Sequence, residues 1–144
     1  MTRILIAVFA AALIHVPGQA QQEAVAVIVH ASNPTASLAP EEVSRMLLKR
    51  EMRWSNGAVV APVDLPGGSK VREAFTRQFH RRSTDAIHSY WQQQIFSGRE
   101  TPPPERATEA EVIAFVAATP HAIGYVSASA RLPAGVKVVE VRAP

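Results

Sequence analysis

The residues best suited to chemistry lie in one segment, residues 63–72, with the sequence VDLPGGSKVR. Its pattern predicts a strand, a glycine turn and then a helix, so backbone N–H groups at the helix start lack intrahelical acceptors. The helix dipole favours negative charge at the same end, and a small oxyanion can therefore bind there. The candidate ligand-binding residues are Asp64, Gly67, Gly68, Ser69, Lys70 and Arg72.

Two side chains of this segment have distinct expected roles. Ser69 can donate its hydroxyl to the anion, and Asp64, if it faces the anion, would accept a proton from a protonated phosphate oxygen and repel fully ionised sulfate. An ordinary capped helix start, in which Ser69 bonds only to its own backbone, explains the same spacing. Spacing alone leaves both interpretations open.

Catalytic and metal-binding patterns are weaker. Ser69 does not lie in a G-x-S-x-G elbow, because Val71 stands where the second glycine is needed. A triad of Ser69, His80 and Asp64 rests only on composition. No two histidines have the i, i+4 spacing of a helical metal pair. We therefore expect no enzyme, no catalytic residue, no metal and no cofactor.

The surrounding elements must position this segment. Residues 24–30 form a β-branched run that predicts a buried strand, and residues 58–63 predict a second strand, at a sheet edge because of Pro62. Later strands are expected at 123–126 and within 136–141. Helices are predicted to begin at Pro40 and after the N-caps Ser69, Ser83 and Thr108. Strands that alternate with helices predict an α/β fold, a single mixed-sheet lobe flanked by helices.

Apolar positions predict one core. We expect a sheet that contains Ile28, Val60, Val63, Ile123 and Val138. Aromatic side chains are expected to pack on it, namely Phe75, Phe79, Trp91 and Phe115. The third helix shows an apolar stripe of Ile87, Tyr90, Trp91 and Ile95.

The first 20 residues predict a signal peptide. Arg3 precedes an apolar run at 4–16, and the small residues Gly18 and Ala20 predict cleavage after Ala20. The run is shorter than the roughly 20 residues that a membrane-spanning helix needs, so no membrane insertion is expected after processing. Residues 21–144 would then form one periplasmic domain. Because the chain has no cysteine, its core must suffice without disulfides.

Charge narrows the class of partner. The formal net charge is +3, and 12 acidic residues are interspersed among 15 basic ones. A nucleic-acid-binding protein usually concentrates its basic residues on one face, so nucleic acid is not an expected partner. Small anionic ligands remain compatible with this composition.

Several motifs together resemble a known family. They are Asn33-Pro34 with Leu38, residues 46–49 (MLLK), 53–57 (RWSNG), Gly68-Ser69 with 72–75 (REAF), 90–91 (YW), 96–99 (FSGR), Pro102-Pro103 and 122–126 (AIGYV). In this order they resemble the phosphate-binding proteins of bacterial ABC transporters (PstS-like) and, more closely, the short exported proteins named phosphate ABC transporter substrate-binding protein-like. The resemblance implies one lobe of a type 2 periplasmic binding protein, with phosphate or a related oxyanion as ligand.

The chain also departs from the larger receptors. Leu65, Lys70 and Val71 replace the arginine, glycine and threonine that the resemblance leads one to expect in the phosphate loop. A first phosphate loop has no counterpart, and the chain is about half the length of a two-lobed receptor. These departures predict that the oxyanion is bound weakly. The expected role of the binding is to serve an ABC transporter or an envelope sensor. The alternative is a ligand-free interaction module that keeps the fold and docks to an envelope transporter, porin or sensor.

Overall fold

The computed structural model describes residues 23–143, so the expected signal peptide and its cleavage point lie outside the described residues. A four-stranded mixed sheet forms the centre, and a two-stranded parallel sheet lies beside it. The strands are Val25–His30 (β1), Ser37–Leu38 (β2), Ala61–Pro62 (β3), Ala122–Ser127 (β4), Val136–Val138 (β5) and Glu140–Val141 (β6). The central order is β3-β4-β1-β5, and β2 pairs with β6. Strand β1 runs antiparallel to β4 and β5, whereas β3 runs parallel to β4.

In the described part of the chain, four α-helices flank the sheet. They are Pro40–Leu47 (α1), Lys70–Phe75 (α2), Thr84–Phe96 (α3) and Glu109–Ala118 (α4), and a π-helical segment at Thr76–His80 continues α2. Ser69, Ser83 and Thr108 are the N-caps of α2, α3 and α4, as the sequence predicts. Within residues 23–143, no helix has the length and apolarity that a membrane span requires. The α/β fold with a mixed sheet and flanking helices is confirmed.

The two faces of β4 show how the helices pack. Successive strand residues point to opposite faces. A Cβ atom on Gly124 would lie 2.8 Å from a Val63 methyl carbon and 3.0 Å from one of Val112, so α4 approaches the backbone closely here. On the next residue, the Tyr125 ring stacks on Phe75 of α2 with centroids 3.8 Å apart. The sheet is thus covered on both faces.

Four expectations are corrected. Of the strand predicted at 58–63, only Ala61–Pro62 forms, and it lies at the sheet edge as expected. The segment predicted as one strand at 136–141 forms two strands, one in each sheet. Trp91 packs with Leu48 and Ile87 in a separate small cluster rather than on the sheet. Ile95 is 52% exposed, because it lies near the end of α3, beyond that cluster. Phe115 packs against the core as expected, although its side chain is only partly buried.

Candidate functional site

The loop between β3 and α2 is open to solvent. Gly67 and Gly68 are exposed, and a Cβ atom on either would meet nothing within 4 Å. Ser69 donates its N–H to the Pro66 carbonyl at 2.9 Å, and its Oγ accepts the Arg72 N–H at 3.2 Å. Within residues 23–143, the amide N–H groups of Gly67, Gly68 and Lys70 have no hydrogen-bond acceptor. The loop therefore presents free backbone donors, and the Ser69 hydroxyl proton is left to donate as well.

Asp64 lies below this loop, in the interior. One carboxylate oxygen accepts hydrogen bonds from the Tyr125 hydroxyl and from the Leu65 N–H, and the other lies 3.5 Å from a guanidinium nitrogen of Arg72. Burial raises the pKa of Asp64, whereas the Arg72 guanidinium and the Tyr125 hydroxyl act in the opposite direction. Burial and the Asp64 carboxylate raise the pKa of Tyr125, which keeps that hydroxyl a donor. These contacts direct Asp64 inward rather than toward the open loop.

Arg72 is also occupied by protein groups. The same guanidinium nitrogen donates to the Leu65 carbonyl and to the Glu105 carboxylate, at 2.5 and 2.7 Å. Only 11% of the side chain is exposed. Arg72 thus links the loop to Glu105, and two carboxylates balance its charge. Backbone bonds between Asp64 and the segment at 104–106 strengthen the same connection.

A cleft of about 270 Å³ adjoins the loop. Gly67 and Arg72 line one side, and Thr84, Asp85 and His88 of α3 line another together with Glu105. A ligand in this cleft would meet the carboxylates of Asp85 and Glu105 as well as the guanidinium. These two carboxylates therefore make the cleft much less favourable to an anion than the free donors of the loop alone would make it.

The structure separates the other candidate residues. His80 contacts Ser44 rather than Ser69, with 2.8 Å between Nδ1 and Oγ. Because Asp64 is bound to Tyr125 and Arg72, the side chains of Ser69, His80 and Asp64 do not form a triad. Among the residues that the structure describes, no cluster of three metal-ligating side chains occurs.

Sequence reasoning missed Tyr125 and Glu105 as parts of this network. Tyr125 belongs to the buried AIGYV strand, and Glu105 follows three prolines. A tyrosine in an otherwise aliphatic buried strand needs a hydrogen-bond partner for its hydroxyl, which was the available signal. Glu105 gives no comparable signal, because its contact with Arg72 spans 33 residues.

Protonation of His80 makes the free energy of unfolding depend on pH. Burial, and the nearby guanidinium groups of Arg72, Arg50 and Arg82, lower its pKa from 6.5 to about 4. Between those values the unfolded chain binds a proton that the folded chain does not, so acidification favours unfolding. We expect His80 to reduce the free energy of unfolding by about 3 kcal/mol between pH 7 and pH 4.

Urea unfolding at pH 7 and pH 4 tests this expectation. His80→Gln removes the titration but keeps a side chain that can bond to Ser44, so the variant should lose less stability on acidification than the parent. Asp64 titrates in both proteins and cancels in the comparison. His88→Gln, at an exposed position, should behave like the parent. An identical acid response in parent and His80→Gln would contradict the assignment.

Comparisons with known proteins identify the fold. No family model and no curated protein matches the chain. A Clostridium perfringens protein, described as a phosphate ABC transporter substrate-binding protein and solved with bound phosphate, is 20% identical with a TM-score of 0.65, over 83% of this chain and 45% of that one. An ABC-type phosphate transport receptor from Vibrio cholerae is 16% identical with a TM-score of 0.65, over 83% and 46%. PstS from Borrelia burgdorferi is 15% identical with a TM-score of 0.55, over 83% and 47%.

These likenesses define the fold class of the chain. The chain has the α/β fold of one lobe of a periplasmic binding protein, and it spans under half the length of the solved proteins that it matches. Within that class, the matched structures are phosphate receptors. The PstS-like resemblance of the motifs is therefore confirmed at the level of the fold.

Proposed function

We propose that this domain is a periplasmic solute-binding module that takes phosphate or a related small oxyanion at the loop of Gly67, Gly68, Ser69 and Lys70, with Asp64 and Arg72 flanking. The observation that carries the proposal is the set of unpartnered amide N–H groups on that exposed loop, among the described residues. The fold shared with a receptor that holds phosphate supports the choice of ligand. The role is binding rather than catalysis.

The proposed binding is weak. An oxyanion that bonds to the Ser69 hydroxyl and to two of the three free N–H groups gains about 4.5–9 kcal/mol, at about 1.5–3 kcal/mol for each bond. Association costs about 4 kcal/mol or more. The remainder corresponds to no detectable binding or to a dissociation constant near 1 mM, in order of magnitude. Since Arg72 is already paired and Asp85 lines the adjoining cleft, the Arg72 guanidinium adds little to this sum.

Calorimetry at low salt tests the site. We expect the parent to bind phosphate with a dissociation constant of about 1 mM or weaker. Ser69→Asp keeps an N-cap acceptor for α2 but places a negative charge on the loop, so it should abolish binding without unfolding the helix. Thr108→Asp is the matched control, because it makes the same change at the cap of α4.

Two outcomes would contradict this account. Submicromolar affinity in a demonstrated monomer would refute binding by one loop. Unchanged binding in Ser69→Asp would show that the site lies elsewhere. Tight binding would require a second lobe from another copy or another protein, such as an envelope transporter or sensor.

One observation favours the second candidate function, docking to an envelope protein such as a transporter, porin or sensor. Phe96, the last residue of α3, is 90% exposed, and its neighbour Ile95 is 52% exposed. A large exposed aromatic side chain is a typical anchor of a protein interface. A thermal-shift panel of phosphate, sulfate, phosphonates and nucleotides separates the two candidates. Stabilisation by an oxyanion favours binding, and no response to any of them favours docking.

A further inference from the structure

A second cleft lies beside α1. It measures about 300 Å³ and opens between residues 35–38, α1 and the turn at 53–57. We call it the hairpin cleft. Three of the lining residues carry hydroxyl groups, namely Thr35, Ser37 and Ser55. Within residues 23–143, none of these three hydroxyls forms a hydrogen bond with another residue, so all three can donate to or accept from a ligand.

Arg53 provides a positive charge in this cleft, and its turn holds it in place. The residue forms an antiparallel bridge with Val59, and one guanidinium nitrogen donates to the Gly57 carbonyl at 2.9 Å. Gly57 has a φ of +84°, a conformation that strains other residues, so glycine fixes the turn. Trp54 anchors the turn to the sheet through a 3.0 Å hydrogen bond from its indole N–H to the His121 carbonyl.

The charge balance of the hairpin cleft favours an anion. Two carboxylates also line it, but each already holds a guanidinium group. Glu42 pairs with Arg142 at 3.1 Å, and Glu51 pairs with Arg45 at 3.0 Å. In the described part of the chain, Arg53 has no carboxylate partner within ion-pair distance. Arg142 and Arg45 do not line the cleft themselves, but they neutralise its two carboxylates, and Arg53 keeps most of its five N–H donors for a ligand.

The lining indicates an organic ligand rather than inorganic phosphate. The cleft, of about 300 Å³, offers apolar as well as polar groups, whereas inorganic phosphate has no apolar part. Apolar groups of Leu38 and Met46 also line the cleft and can contact a carbon skeleton. We propose that the hairpin cleft binds a small organic oxyanion, with its anionic group on Arg53 and its polar body on the three hydroxyls.

Amide chemical shifts in the full domain test the proposal with three probes: glycerol 3-phosphate, glycerate and glycerol. We expect both anions to shift the amides of residues 35–38 and 53–57, and glycerol to leave them unchanged. A response to glycerol 3-phosphate alone would identify the anionic group as a phosphate ester, whereas a response to both would extend the site to carboxylates. Either result supports the cleft.

Matched variants make the result decisive. Arg53→Gln should weaken binding about ten- to a hundredfold, because a charge-assisted hydrogen bond is lost. Arg99→Gln, at an exposed position after α3, should leave binding unchanged. Ser55→Ala supplies a second, milder perturbation of the turn, and the amide spectrum without ligand reports whether each variant folds.

Three outcomes would overturn the proposal: no response to either anion at tens of millimolar, an equal response to glycerol, or undiminished binding in Arg53→Gln. The loop at 67–70 has its own reporter amides, distinct from those of the hairpin cleft. Chemical-shift changes confined to that loop would contradict this proposal without contradicting the phosphate proposal. Chemical-shift changes confined to the hairpin cleft would support this proposal and leave the phosphate proposal to its own calorimetric test.

Discussion

Replacement of Phe75 by alanine is expected to lower the free energy of unfolding by about 3–5 kcal/mol. The side chain is 1% exposed and lies at the centre of an aromatic cluster. Its ring stacks on Tyr125 at 3.8 Å and on Phe79 at 4.7 Å, and it meets the His80 ring edge-on at 5.2 Å. Alanine would leave a cavity between α2 and the sheet, and would remove the aromatic contacts as well as the buried area.

Urea unfolding measures this loss, and Phe96→Ala is the matched control. Phe96 is 90% exposed, so the same substitution there should change the unfolding free energy by no more than about 0.5 kcal/mol. Equal losses of unfolding free energy at the two positions would show that the loss does not depend on how deeply the side chain is buried. A Phe75→Ala protein as stable as its parent would mean that α2 does not dock on Tyr125.

Local signals explain what the sequence predicted well. The N-caps Ser69, Ser83 and Thr108 were predictable because capping depends on residues within one helical turn. Strand β1 was predictable because its β-branched run is continuous. The α/β class then followed from the order of elements, and the motif resemblance agreed with it.

Contacts between distant residues explain what the sequence did not reveal. The Tyr125 bond to Asp64 spans 61 residues, and no local pattern indicates which buried donor meets which carboxylate. The glycine turn and the helix of segment 63–72 were correctly predicted, although the strand before them is limited to Ala61–Pro62. The inward direction of Asp64 depends on its pairing with Tyr125. The apolar stripe of α3 predicted a buried Ile95, although stripe spacing cannot show where the neighbouring element ends.

The ion pair of Asp64 and Arg72 leads to the second large effect. Both side chains are about nine-tenths buried, with 10% and 11% exposed. Removing one partner of a buried pair leaves an uncompensated charge and typically costs about 3–5 kcal/mol, whereas replacing both partners is often nearly neutral. We therefore expect Arg72→Met to lower the unfolding free energy by about that amount, and the addition of Asp64→Asn to recover much of it.

A double-mutant cycle by urea unfolding tests the coupling between these two residues. Arg77→Met is the control, because Arg77 pairs with Glu73 at 2.8 Å on the exposed side of the same helical segment, and an exposed pair contributes only about 0.3–0.5 kcal/mol. The pH dependence gives an independent check. Burial already raises the pKa of Asp64, and loss of Arg72 should raise it further. Acidification should therefore protonate Asp64 and reduce the stability difference between Arg72→Met and the parent. Additive single effects together with a gap that does not change with pH would show that Arg72 stabilises the loop through Leu65 and Glu105 alone.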